Sequence, residues 1–226
     1  MTCQTPSNFV ICYSALNTST PQRTRNPQRT KAKLLRVATR LFAKKGYDGA
    51  SVDEIVAAAG VNKRMVYHYF GDKEGLYAEV LQSVFNQMAR VEIEAFDETT
   101  EPAEAIRAIL VHYFDFLDKR PDLVSLLFWE NLRHGHFVET HAELLSKHSV
   151  IERLRRVIQR GIQTGVFHGN IDVRYLLISL ISLGYIYHSN RYTLTHGVGL
   201  DLSSPDVIHQ GLTHSIDLVL NGLLKR

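Results

Sequence analysis

The chain has 226 residues, 45% of them apolar and 22% charged, an ordinary balance for one large or two small globular domains. Its two cysteines, Cys3 and Cys12, exclude a disulfide framework and a cysteine-built zinc site and suit a reducing cytosol. Its longest apolar run, Leu176–Tyr187, falls well short of the roughly 20 residues of a membrane-spanning helix. The net charge of +3 hides an asymmetry: residues 1–75 carry twelve Lys or Arg against five Asp or Glu, and residues 76–226 carry fourteen against eighteen. Positive charge therefore gathers at the N-terminal end, as neutralising a phosphate backbone requires.

Residues 1–26 read as a flexible basic tail, rich in Ser, Thr, Asn and Gln and interrupted by Pro6 and Pro21; such a segment has too little apolar surface to fold. No positive charge precedes its mildly apolar stretch Asn8–Leu16, which argues against a secretory signal. Arg23, Arg25 and Arg29 make either an arm that reaches phosphates or a minor groove, or part of a dispensable tail.

The first helix is predicted over Thr30–Lys45, with Leu34, Leu35, Ala38, Leu41 and Phe42 on one face and Lys31, Arg36, Arg40 and Lys44 outward. Ser51 and Glu54 form a capping box that opens a second helix, Ile55 and Ala59 give it an apolar side, and Gly60 closes it. Asn62 caps a third helix, Lys63–Phe70. In it Val66 and Phe70 pack inward, leaving Lys63, Arg64, Tyr67 and His68 outward. Two short helices joined by a tight turn, the second with a cationic start, are how a helix-turn-helix enters the major groove. Asp72 caps a long fourth helix to about Phe96, with Leu76, Val80, Val84 and Met88 inside.

The remainder reads as all helical, over Pro102–Lys119, Pro121–Arg133, one longer helix Phe137–Gly165, a helix from Asp172 to about Thr195, and a last one capped by Asp206 and running to about Leu224. A loop, His196–Ser204, separates the final two. The penultimate helix is apolar nearly all round between Leu176 and Ile186, so it must be covered on every side. The fold class is therefore all-α: a helix-turn-helix domain over 27–75, followed by a larger helical domain over 76–226.

The stretch from Leu35 through Leu41-Phe42-Ala43, Gly46-Tyr47, Ser51-Val52, Ile55, Ala58-Ala59-Gly60-Val61, Val66-Tyr67-His68-Tyr69-Phe70, Lys73-Glu74 and Leu76 resembles the DNA-binding domain of TetR-family transcriptional regulators. Val56 stands where that family usually has alanine and Asn62 where it usually has serine. The resemblance implies a repressor that binds palindromic double-stranded DNA as a homodimer through its last two helices and is released by a small-molecule effector. No cofactor, metal or catalytic residue is expected, and the setting implied is the bacterial cytoplasm, at the nucleoid.

The expected DNA contacts divide by chemistry. Lys63 and Arg64 suit base edges, arginine preferring guanine; Met65 or Tyr69 suits a thymine methyl, and His68 either a base or a phosphate. The resemblance assigns phosphates to Tyr67 and Lys73. Arg29, Thr30, Ser51 and Asn62 lie at helix starts near the backbone path. For the effector the candidates are Tyr113, Phe116, Phe128, Trp129, Asn131, His148, Tyr185 and His188, an apolar lining with a few polar tips, although aromatics at this spacing also serve as ordinary core. His134 and His136 flank Gly135, and His141 and His148 would share one helical face, but their spacing matches no standard zinc pattern. The alternatives are an effector-free architectural DNA binder, a metal-responsive regulator, and an enzyme on a helical scaffold, for which no phosphate loop or nucleophile motif is present.

Overall fold

The computed structural model describes Met1 and residues 27–95, 100–141 and 147–225; the rest of the basic tail, with Arg23 and Arg25, lies outside the described residues. Helix α1 (Pro27–Gly49) begins on a proline whose preset φ suits a first helical turn. It buries Leu34, Val37, Ala38 and Phe42, residues spaced three and four apart on one face. At Gly46 the backbone leaves the helix, φ 71° and ψ 177°, a geometry glycine adopts without strain, so the regular helix closes where Gly46-Tyr47 suggested.

The capping box before α2 (Val52–Ala59) is complete: Ser51 Oγ accepts the Glu54 N–H at 3.1 Å, and Glu54 Oε2 accepts the Ser51 N–H at 3.2 Å. Gly60 ends α2 in the left-handed conformation. Asn62 Oδ1 accepts the Arg64 N–H at 2.9 Å ahead of α3 (Arg64–Phe70), and Lys63 already has helical angles. Val66 and Phe70 turn inward, as their spacing requires. Asp72 Oδ1 accepts the Gly75 N–H at 2.8 Å and starts α4 (Lys73–Ala95), whose stripe of Leu76, Val80, Val84 and Met88 is buried.

Beyond α4 come α5 (Pro102–Lys119) and α6 (Pro121–Leu132), both close to expectation. The single helix expected over Phe137–Gly165 is instead two, α7 (His136–Thr140) and α8 (His148–Gln163). Residues 142–146 between them lie outside the described set. In a continuing helix the His141 N–H would reach Phe137 O. It goes instead to Val138 O at 3.2 Å, while Thr140 Oγ1 donates to Phe137 O at 2.9 Å. His141 and His148 therefore do not share a helical face.

The helix expected from Asp172 to Thr195 is likewise divided, into α9 (Val173–Ser189) and α10 (Arg191–Val198). Asn190 sits between them with ψ 15° and accepts the Ser189 hydroxyl on Oδ1 at 2.8 Å, a local side-chain bond of the kind that competes with helical pairing. Asp172 does cap α9, and its bonds to the Arg174 guanidinium and N–H hold its carboxyl down at about 2. The last helix, α11 (Pro205–Leu223), starts on Pro205 after Ser204, so Asp206 lies inside its first turn rather than capping it.

Among the described residues there is no strand, and no helix is long and apolar enough to cross a membrane. One isolated bridge, Phe167 to Leu224, ties the chain end to the turn after α8. The buried side chains form two clusters. One joins α1–α3 and α4 as far as Met88 to Leu117, Leu123, Val124, Leu126 and Phe137; the other fills the space between α5, α8, α9 and α11. The first cluster runs through residue 75 without a break, so the helix-turn-helix is seated on α6 and α7 rather than hung from α4 alone.

Candidate nucleic-acid interface and effector domain

Helix α3 is pinned by its two buried residues, and that determines what it shows. Lys63, Arg64 and His68 are exposed and Tyr67 is 52% exposed. Met65 and Tyr69 are half-buried against the first core cluster, so a thymine methyl would meet only part of either side chain. Lys63 Nζ lies 2.8 Å from the Asp53 carboxylate, whose hydrogen bond and charge push the ammonium's pKa up from 10.5. Lys63 would have to leave Asp53 to reach any other partner, whereas among the described residues Arg64 has no such ion pair.

Several residues expected at the DNA backbone already have local partners. The Ser51 hydroxyl is committed to Glu54, and Asn62 Oδ1 to Arg64 N–H. What these residues offer is the correct start of each helix. Arg29 is exposed and Thr30 half-buried on the first turn of α1. Lys73 Nζ stands 4.4 Å from the centre of the Tyr47 ring. Lys31 crosses from α1 to α4, 2.8 Å from Glu79 and 5.4 Å from the Phe70 ring centre.

The effector candidates are placed less uniformly. Tyr113 is buried, and its hydroxyl donates to Glu92 at 2.7 Å. Lys147 Nζ reaches both Glu92 oxygens at 2.7 Å. Burial and the adjacent carboxylate push the Tyr113 pKa well above its ordinary value. His188 is buried beside Phe114, with no hydrogen-bond partner for either ring nitrogen among the described residues, and burial pushes its pKa below 6.5. Tyr185 donates to Val124 O at 3.1 Å, and Phe116 is half-buried against the first cluster. Phe128, Asn131 and His148 are exposed. Trp129 faces the DNA-binding side, donating from Nε1 to Ala43 O at 3.1 Å. The set thus has interior members, Tyr113 and His188 foremost, and outward ones. Among the described residues no three His, Cys, Asp or Glu side chains are grouped to hold a metal ion.

The residues that join the two halves were not visible in the sequence. Glu130 is buried and accepts the Tyr77 hydroxyl at 3.0 Å, the Phe137 N–H at 2.7 Å and the Val138 N–H at 3.2 Å. Arg133 lies 4.4 Å from the Tyr47 ring centre and 3.6 Å from Asp48. The sequence holds no motif for these contacts, of which those of Glu130 with Tyr77 and of Arg133 with Tyr47 and Asp48 span more than fifty residues; a Trp and a Glu in an apolar helix were the hint.

Residues 34–80 match the family model for bacterial regulatory proteins of the tetR family, and residues 102–219 match the tetracyclin repressor-like C-terminal domain. The chain is 30% identical over 202 residues to the HTH-type transcriptional repressor NicS of Pseudomonas putida, covering 89% of this chain and 95% of that one. It is 30% identical over 175 residues to the HTH-type transcriptional repressor SCO4008 of Streptomyces coelicolor, covering 76% and 87%. The fold matches that of a TetR-like transcriptional regulator from Rhodococcus sp. RHA1 with a TM-score of 0.62 at 20% identity, over 85% of this chain and 94% of that one. A basic helix-turn-helix seated on a larger helical domain, matched at both ends to one family, places this chain in the TetR family of DNA-binding transcriptional regulators.

Proposed function

We propose that the protein is a homodimeric repressor that binds a palindromic operator and is released by a small organic effector held in the C-terminal domain, in the bacterial cytoplasm. The observation that carries the reading is α3: a helix fixed by Val66 and Phe70 that turns Lys63, Arg64, Tyr67 and His68 to solvent on the basic half of the chain. Two relatives named as repressors support the sign of regulation. Lys63, Arg64 and His68 read bases, Tyr67 and Lys73 hold phosphates, and Arg29, Thr30, Ser51 and Asn62 set the helix starts beside the backbone. Tyr113 and His188 are the interior polar groups suited to an effector, because an unpartnered buried imidazole gains most from a ligand hydrogen bond.

Dimerisation is supported by the outer faces of α9 and α11. Tyr175 (71% exposed), Ile178 (60%) and Ile186 follow one face of α9, and Leu218 is exposed on α11. Apolar side chains in such a row mark an interaction surface, and a two-fold pairing would present two recognition helices to two half-sites. Ile178→Asp is expected to give monomers by light scattering and to weaken operator binding; dimers at micromolar concentration would move the interface elsewhere. Footprinting of the DNA upstream of the protein's own gene tests the reading as a whole. Paired protections about one helical turn apart are expected, and a molecule bound by the C-terminal domain should abolish them. Unbroken protection across the fragment would contradict a palindromic site, and protection that no bound molecule alters would favour an architectural binder.

A further inference from the structure

Where the end of α6 meets the end of α1 and the start of α4, five contacts share a few residues. Trp129 Nε1–H donates to Ala43 O at 3.1 Å, a last-turn carbonyl of the kind a helix end leaves open. The Trp129 ring covers Gly46 so closely that a Cβ there would lie 2.9 Å from two ring carbons, and Gly46 has the positive φ that turns Tyr47 out of the helix. The Arg133 guanidinium then stands 4.4 Å from the Tyr47 ring centre, with Asp48 3.6 Å from its Nε. Lys73 Nζ stands 4.4 Å from the same ring centre.

Lys73 is the first residue of α4, where the helix dipole disfavours a positive charge. Its ammonium therefore depends on outside partners to hold its position, and the electron-rich face of Tyr47 is the one the fold provides. Arg133 stands against the same ring, so the positions of the two cations are joined through Tyr47. Helix α6 is also bonded to the effector half, since Tyr185 on α9 donates to Val124 O at 3.1 Å. One aromatic ring thus connects a helix of the C-terminal domain to a lysine on the DNA side.

We propose that Trp129 and Arg133 are positioning residues that act through Tyr47 to hold Lys73 against the DNA backbone, so that the seating of α6 on α1 sets operator affinity. This rests on the reading that Lys73 contacts a phosphate. A displacement of α6 by an effector would tilt Tyr47 and withdraw the lysine without unfolding any helix.

The test is a double-mutant cycle on the full-length protein, using the upstream DNA fragment and measuring affinity against salt. Lys73→Met is expected to cost about tenfold in affinity and to lower the slope of log affinity on log salt by about one. Arg133→Met is expected to reproduce both effects, and the double variant to be no weaker than either single one. Arg133→Lys, which keeps a cation over the ring, should recover part of the loss, and Tyr47→Leu should make Arg133→Met silent. Melting curves confirm that each variant is folded, and Trp129→Phe, which keeps the ring over Gly46 but loses the bond to Ala43, is expected to show a milder form of the same change. An unchanged salt slope in Arg133→Met, or losses that multiply in the double variant, would overturn the proposal. A Lys73→Met protein with an unchanged slope would instead remove the phosphate reading on which it stands.

Discussion

Glu130→Ala is expected to lower stability by about 3 kcal/mol, because it strips three donors of their acceptor in a buried site, at roughly 1–3 kcal/mol for each group left unsatisfied. Glu130 Oε2 accepts the Tyr77 hydroxyl, and Oε1 accepts the backbone N–H groups of Phe137 and Val138. Tyr77 lies in the core of the DNA-binding half, with its ring edge-on to Phe42 at 5.0 Å and to Phe137 at 5.8 Å. One side chain of α6 thus fixes the start of α7 and the first turns of α4 together. Burial and the adjacent carboxylate already push the Tyr77 pKa well above 10, so the phenol stays a donor across the physiological range. Glu130→Gln keeps an oxygen for the two amides and turns its NH₂ to the Tyr77 oxygen, leaving only the phenol proton without its acceptor, so its loss should be about 1 kcal/mol. Urea denaturation of the two variants checks this, and equal losses would show that charge rather than the bonding pattern matters at Glu130.

Lys147→Met is expected to cost about 3 kcal/mol at neutral pH, at the lower edge of what breaking a buried ion pair costs, because Lys147 itself is partly exposed. The Glu92 carboxylate has no exposed surface; Lys147 is bonded to both its oxygens, and Tyr113 to one. Removing the ammonium leaves a buried anion with, among the described residues, a single phenol as donor. Replacing both partners is expected to be far milder than replacing the lysine alone: a Glu92→Gln, Lys147→Met protein should recover most of the loss. The pair ties the far end of α4 to the start of α8, so the same variant should raise amide exchange in the last turns of α4 while leaving α2 and α3 unchanged. Calorimetry and hydrogen exchange read the two effects, and a double variant as unstable as the single one would contradict the charge argument.

The helix-turn-helix was legible because each of its boundaries is written in a side chain that acts within four residues. Ser51 and Glu54 close a capping box, Asn62 and Asp72 accept the N–H groups that follow them, and Gly60 takes the one backbone conformation that ends α2. The outward face of α3 followed from Val66 and Phe70 alone. The C-terminal domain was less legible where a helix ends without such a signal. The turn at His141 depends on which donor wins the Phe137 carbonyl, and the break at Asn190 on a bond from Ser189; neither leaves a mark in apolar periodicity. The residues expected to meet an effector were harder still to place. Trp129 and His188 are both large, partly polar side chains on apolar helices, yet the structure turns one onto α1 and buries the other beside Phe114. Such choices are made by tertiary packing between residues far apart in sequence, and the joint formed by Tyr47, Lys73, Trp129 and Arg133 is of the same kind.

The central claim, that α3 reads a DNA sequence, is tested most directly by titrating the protein onto its own upstream DNA over a range of salt, against a scrambled duplex of equal length. Arg64→Ala is measured in parallel. The account predicts binding to the upstream fragment that survives excess scrambled competitor, with log affinity falling by about 0.9 per phosphate contact for each unit of log salt. It also predicts an Arg64→Ala protein that keeps this slope but loses part of its preference between the two duplexes. Equal affinity for both duplexes at every salt concentration, unchanged by Arg64→Ala, would contradict it and leave only a basic surface.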